Sequence, residues 1–171
     1  MASAKIIASI LYVLRLSLVT LTIIIVPNIL FYGVGGWNLP VQLLNTTILY
    51  DWDFLELVLV RCAISIIVAL SFASLSLLVS AMSKKTYIVD VIMLMIIIIC
   101  FLLPDVRSRR FTQIAMLLPA QMNGVLYYSY ISYNILGQIF NVYTVGFIVH
   151  CILAIVLFLS ARGVFRRQEI K

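Results

Sequence analysis

Charge is what this sequence has least of. Only 11% of its 171 residues are charged, 12 basic and 6 acidic, while 64% are hydrophobic. A soluble domain carries roughly a quarter charged residues, so the composition excludes a water-soluble fold and points to an integral membrane protein. Histidine occurs once, at His150, and cysteine three times, at Cys62, Cys100 and Cys151. Each cysteine falls inside an apolar run, and no CxxC spacing or Cys/His cluster supplies a metal or redox set; the thiols read as small buried side chains. No phosphate-binding glycine loop, Ser/His/Asp set or paired catalytic carboxylates is found, which argues against enzymatic activity in this chain. The net charge of +6 falls beside long apolar runs. It therefore sets topology and meets anionic headgroups, and no nucleic-acid partner is expected.

What the sequence does have is apolar length. Two segments, 57–81 and 87–103, contain one charge each, Arg61 and Asp90, and are joined by Ser83-Lys84-Lys85-Thr86. About 20 residues at 1.5 Å each cross a hydrocarbon core of about 30 Å, so the pair reads as a transmembrane helical hairpin with its lysine tip in water. A first apolar run covers 6–32, with the crossing expected at about 13–32, residues 6–12 at the interface and Arg15 reaching back to the headgroups. This run is too long for a cleavable signal peptide. The last span is expected at 142–161, followed by a basic tail that includes Arg162, Arg166 and Arg167. Lysines and arginines flanking spans favour the cytoplasm, so both termini are expected on the cytoplasmic side of a plasma membrane, expected to be bacterial.

Two connections are irregular. Residues 33–54 open with Gly33-Val34-Gly35-Gly36-Trp37 and close with Asp51-Trp52-Asp53, a loop with interfacial tryptophans and a possible surface helix over 39–49. Its Asn45-Thr46-Thr47 triplet is a chance-level glycosylation match. Residues 105–141 carry Arg107, Arg109 and Arg110, an apolar stretch over 111–118, Pro119 and four tyrosines from Tyr127 to Tyr133. Apolar pieces too short to span and too greasy for solvent predict a re-entrant or interfacial outer helical hairpin before the last span. The fold class is thus an all-α membrane protein with four transmembrane helices.

The order of motifs resembles the permease subunit of type 2 ATP-binding-cassette exporters, in particular the small ones of Gram-positive bacteria. The first span opens with Ala4-Lys5-Ile6-Ile7 and ends in Tyr32-Gly33-Val34-Gly35-Gly36, followed by Pro40-Val41-Gln42. The second leaves through Leu78-Val79-Ser80-Ala81-Met82-Ser83-Lys84-Lys85, Leu117-Leu118-Pro119 precedes the last helix, and the chain closes on Arg166-Arg167-Gln168. The resemblance covers nearly the whole chain but only the last four of the family's six spans; the first two, with the cytoplasmic coupling helix, have no counterpart. It implies an exporter permease working by alternating access. ATP and magnesium would sit on a separate ATP-binding-cassette ATPase subunit, with no cofactor in this chain. The other partners would be a second permease copy or complementary half and the lipid bilayer. A non-transport accessory or assembly protein of the membrane is the alternative, and an intramembrane enzyme a third reading.

Six residues stand out as candidates. Arg15 and Asp90 lie at similar depth on the first and third spans, where they could pair or separately meet headgroups. Ser65, Ala69 and Ala73 form a small-residue stripe that suits close helix packing or a translocation surface. His150, in line with Gly146 and Ala154, suits a hydrogen bond to a neighbouring helix or a transport role.

Overall fold

The computed structural model describes residues 2–43, 51–83, 85–102, 109–122 and 131–169. Helix α1 (Ala2–Tyr32) leads to a single 3-10 turn at Val41–Leu43, then α2 (Phe54–Met82) and α3 (Thr86–Leu102). Two short helices, α4 (Arg109–Ala115) and α5 (Pro119–Met122), precede the strands β1 (Ser132–Ile135) and β2 (Gln138–Asn141), and α6 (Val142–Glu169) completes the chain. The helices α1, α2 and α6 are each long and apolar enough to cross a membrane. Among the described residues the protein is an all-α membrane protein apart from a two-stranded hairpin.

The first and last helices run beyond the expected spans. With no breaker ahead of Pro27, helix α1 is continuous for 31 residues, about 46 Å, so that the crossing expected at about 13–32 is part of a longer helix. Helix α6 has 28 residues and passes the expected end at 161. Helix α3 keeps the expected 17 residues, about 25 Å, one position earlier.

Polar side chains on the outer surfaces of these helices bond to their own backbone. Thr20, Thr22 and Asn28 donate to the carbonyls of Leu16, Leu18 and Ile24 at 2.9, 2.8 and 2.7 Å, and Ser160 donates to Val156 at 2.8 Å. Such bonds satisfy each group where lipid offers no partner. Helix ends are set by local chemistry as well. Gly33, at φ +68°, turns the chain out of α1 while its N–H bonds to the Ile29 carbonyl at 2.8 Å, the left-handed cap that glycine adopts without strain. Glu56 accepts from the Asp53 N–H at 3.2 Å at the start of α2, and Asn141 Oδ1 accepts from Thr144 N–H at 2.7 Å at the start of α6.

Contacts between helices orient the bundle. The Trp52 and Tyr143 rings meet at 5.3 Å, Ser71 meets His150 at 2.9 Å, and Gln168 Nε2 donates to the Ala81 carbonyl at 2.6 Å. The numbers rise together, so α2 and α6 run parallel. Helix α1 runs against both, with Lys5 Nζ 5.0 Å from the Phe165 ring. The start of α1, the α2–α3 connection and the end of α6 therefore share one end, which carries Lys5, Lys85, Arg162, Arg166 and Arg167. We call it the basic end.

The core gathers at the other end, where Val41, Leu57, Met116, Met122, Val142 and Tyr143 are all buried in one cluster. The 33–53 loop is tied into it: Val41 N–H donates to Trp52 at 2.9 Å and Phe54 N–H to Leu39 at 3.0 Å. In place of the expected surface helix over 39–49 the described part shows only the 3-10 turn; Asn45, Thr46 and Thr47 lie outside the described residues. The expected outer helical hairpin is also corrected. Its first half is helical, as α4 and α5, but its second half is the β1–β2 hairpin, in which Tyr133 faces Phe140. Leu136 and Gly137 both have positive φ, 53° and 83°, the conformation of a tight two-residue turn matched to strand twist. Asn134 Oδ1 holds that turn by accepting from Gly137 N–H at 3.1 Å.

Candidate functional site

Two features of the bundle carry polar groups into apolar surroundings. The first is a buried node on His150. The buried stripe of α2 is Leu57, Ile64, Val68, Ser71, Ser74 and Ala81, spaced by three, four and seven residues, as one helix face requires. The facing stripe of α6 includes Val142, Tyr143, Gly146, His150, Ala154 and Ala161, all buried. Small residues on both stripes bring the helices close enough for His150, 1% exposed, to reach across.

Both ring nitrogens of His150 have partners. Nε2 lies 3.0 Å from the Leu117 carbonyl, which can only accept, so Nε2 carries a hydrogen. Nδ1 lies 2.9 Å from Ser71 Oγ, itself 2.8 Å from the Val68 carbonyl. In the neutral ring the Ser71 hydroxyl donates to Nδ1. In the imidazolium, Nδ1–H donates to Ser71 and the hydroxyl turns to Val68. Ser74 continues the polar line by donating to the Ser71 carbonyl at 2.6 Å. The bond to Leu117 also shows how far the α4–α5 segment enters the bundle, since His150 lies about 12 Å along α6 from Val142. Gln121 of α5 anchors the same segment to α3, donating to the Cys100 carbonyl at 3.2 Å. The node thus joins α2, α6 and the entering segment, and His150 lines neither of the two clefts described below.

The second feature is a cleft of about 660 Å3 between α1 and α2, away from the basic end. Leu21 and Ile25 of α1 and Val58 of α2 give it aliphatic walls, and Gly36, Trp37 and Phe54 line its end away from the basic end. Arg61, Asn28 and Ser65 bring polar groups into it. At about 100° per residue, Ser65, Ala69 and Ala73 fall on the side of α2 that carries Val58 and Arg61, and not on the stripe facing α6. A second cleft, of about 560 Å3, lies at the basic end between Val79, Met82, Ser83, Lys85, Ile88 and Ile92.

The candidates read from the sequence are thus distributed. Ser65 lines the α1–α2 cleft, Ala69 and Ala73 are half-buried on the same side of α2, and His150 bridges three elements. Arg15 and Asp90 are not brought together: α1 packs on α2 and α6, α3 on α2 and α5, and both side chains are exposed. Similar depth gave no lateral contact. Sequence reasoning missed Ser71, Ser74 and Gln121, and passed over Arg61 and Asn28 as site residues. A seven-residue repeat, Leu57, Ile64, Ser71, marks the first of these; nothing in the sequence marks Gln121. Among the described residues no group of three His, Cys, Asp or Glu side chains could hold a metal ion.

No protein-family model matches the sequence, and no curated protein or solved structure matches it either.

Proposed function

We propose that this chain is a permease subunit of an ATP-driven exporter, embedded in a bacterial plasma membrane with both termini in the cytoplasm. The observation that carries the reading is the unequal attachment of the helices. The parallel pair α2–α6 is locked along its length by the Trp52–Tyr143, Ser71–His150 and Gln168–Ala81 contacts. Helix α1, by contrast, is separated from α2 by the cleft over part of its length, and none of its described side chains is buried. A rigid pair beside a loosely attached helix suits alternating access, in which one unit rocks against another.

Four crossings are part of this reading. The parallel course of α2 and α6 favours a return of the chain through the membrane between them, and helix α3, about 25 Å long, would supply it, with the α4–α5 segment beside it. The basic residues then face the cytoplasm, where an ATPase subunit holding ATP and magnesium would dock, and a second permease copy or complementary half would complete the pathway.

The test is the company the protein keeps. The tagged chain is crosslinked in membranes of its source cell through Ser83→Cys at the basic end, and the attached peptides are identified. The exporter reading expects a subunit with a phosphate-binding glycine loop and ATP hydrolysis in the purified complex. A complex without a nucleotide-hydrolysing partner would overturn it in favour of an accessory or assembly protein.

A further inference from the structure

We propose that the α1–α2 cleft binds an anionic phospholipid, its phosphate against Arg61, a headgroup hydroxyl on Asn28 Oδ1 and an acyl chain along the aliphatic walls. The occupant is argued from the cleft alone. Loss of the exporter reading would leave it standing, and failure of lipid binding would leave an ATPase partner in place.

Depth comes first. Helix α2 has 29 residues, about 43 Å, against a hydrocarbon core of about 30 Å, so roughly 6 Å projects at each end. Arg61 lies about 10 Å along α2 from Phe54, a few ångströms inside the hydrocarbon edge. An arginine at this depth can meet the phosphate layer, although its Nη2 is itself buried in the protein. Phosphate is also the anion whose geometry the planar guanidinium matches with two parallel hydrogen bonds. No acidic side chain stands among the described residues lining the cleft, so its polar chemistry is cationic and hydrogen-bonding.

Asn28 adds selectivity. Its Nδ2 donates to the Ile24 carbonyl at 2.7 Å, and since a carbonyl only accepts, the amide orientation is fixed. Oδ1 is then the acceptor that this lining residue offers, the complement of a hydroxyl. Cation and acceptor together fit a phosphodiester bearing a hydroxylated headgroup, as in phosphatidylglycerol. Deeper in the cleft Leu21 and Ile25 of α1 offer aliphatic surface opposite Cys62 and Ser65 of α2.

At about 660 Å3 the cleft falls within the roughly 300–1,000 Å3 of small-molecule sites, room for a headgroup and part of an acyl chain.

The experiment uses the full chain in nanodiscs of equal parts phosphatidylglycerol, phosphatidylcholine and phosphatidic acid, followed by transfer to detergent and native mass spectrometry. The wild type is expected to retain phosphatidylglycerol over phosphatidylcholine by about tenfold, a factor equivalent to about 1.4 kcal/mol. Arg61→Gln should bring that ratio to about one, and Arg61→Lys should keep part of it. Asn28→Leu, at an exposed position of α1, should preserve the preference for anionic lipid but equalise phosphatidylglycerol and phosphatidic acid. It remains informative if Arg61→Gln fails to fold. Equal retention of phosphatidylcholine by the wild type, an unchanged ratio in folded Arg61→Gln, or Asn28→Leu indistinguishable from wild type would overturn the proposal. So would displacement of the phospholipid by equimolar palmitate, or a dimer mass free of lipid.

Discussion

Ser71 of α2 and His150 of α6 share a 2.9 Å hydrogen bond at a depth where both side chains are almost fully buried. Between two membrane helices such a bond is worth about 0.6 kcal/mol on average and at most about 1.7. Ser71→Ala should therefore destabilise by about 1 kcal/mol. His150→Ala should cost more, since it also frees the Leu117 carbonyl and leaves a cavity. A double-mutant cycle on unfolding in mixed micelles should return a coupling of at least about 0.5 kcal/mol. Simple additivity would mean that the two side chains do not bond in the membrane.

Arg15 and Asp90 should behave in the opposite way. Both helices pack on α2, but α1 also lies on α6 and α3 on α5, and both side chains are exposed. The effects of Arg15→Leu and Asp90→Leu on stability should add to within about 0.3–0.5 kcal/mol, as for independent sites. In a background without Cys62, Cys100 and Cys151, the pair Arg15→Cys and Asp90→Cys should form no disulfide under mild oxidation.

These two pairs show what the sequence could and could not convey. Hydropathy revealed the helices because lipid selects for apolar length whatever packs beside it. The four-residue spacing of Gly146, His150 and Ala154 likewise announced a buried face. Neither signal names the neighbour. Ser65, Ala69 and Ala73 resembled a packing stripe, yet they sit on the cleft side of α2 while Ser71 and Ser74 take the contact with α6. The matched depth of Arg15 and Asp90 said nothing of lateral position. The hairpin was hidden because Leu136 stands in a turn position where asparagine, aspartate or glycine is the usual marker.

Leu136 is also a place where stability can be gained. It is fully exposed and held at φ +53°, a region that costs an L-residue on the order of 1 kcal/mol and that asparagine and glycine enter more readily. Leu136→Asn should stabilise the hairpin by about 0.5–1 kcal/mol, measured as slower amide exchange at Gly137 and Gln138. Faster exchange would show that the tip does not hold this turn.

The hairpin is fastened to α4 by a reciprocal clasp. Tyr133 Oη donates to the Gln113 carbonyl at 2.6 Å, and Gln113 Nε2 donates to the Ser132 carbonyl at 2.8 Å. Burial disfavours the phenolate and pushes the Tyr133 phenol up to about 12. With the folded value above the ordinary value of about 10, the contribution to stability is full below about pH 10 and is lost as pH rises toward about 12. Tyr133→Phe should cost about 1 kcal/mol near neutrality and should flatten the fall in stability between those two values. If wild type and variant lose stability in parallel over that range, another group is titrating.

The last prediction concerns the number of crossings. If α1, α2 and α6 alone crossed, α6 would have to run against α2, and the two ends of the chain would lie on opposite sides. The structure has them parallel, with Gln168 bonded to Ala81 and Lys5 beside Phe165. An even number of crossings is therefore the expectation under the proposed topology, with α3 supplying the fourth despite its length. Its shortness is tolerable if the bilayer thins locally or if the α4–α5 segment covers its end. Single cysteines at Ser83, Gln168, Gly35 and Asn134, in the background lacking the three native thiols, decide the matter. In intact cells an impermeant thiol reagent should label Gly35→Cys and Asn134→Cys and leave Ser83→Cys and Gln168→Cys untouched until the membrane is opened. Labelling of Gln168→Cys with protection of Ser83→Cys would mean three crossings, and would break the parallel α2–α6 pair on which the rest of the bundle depends.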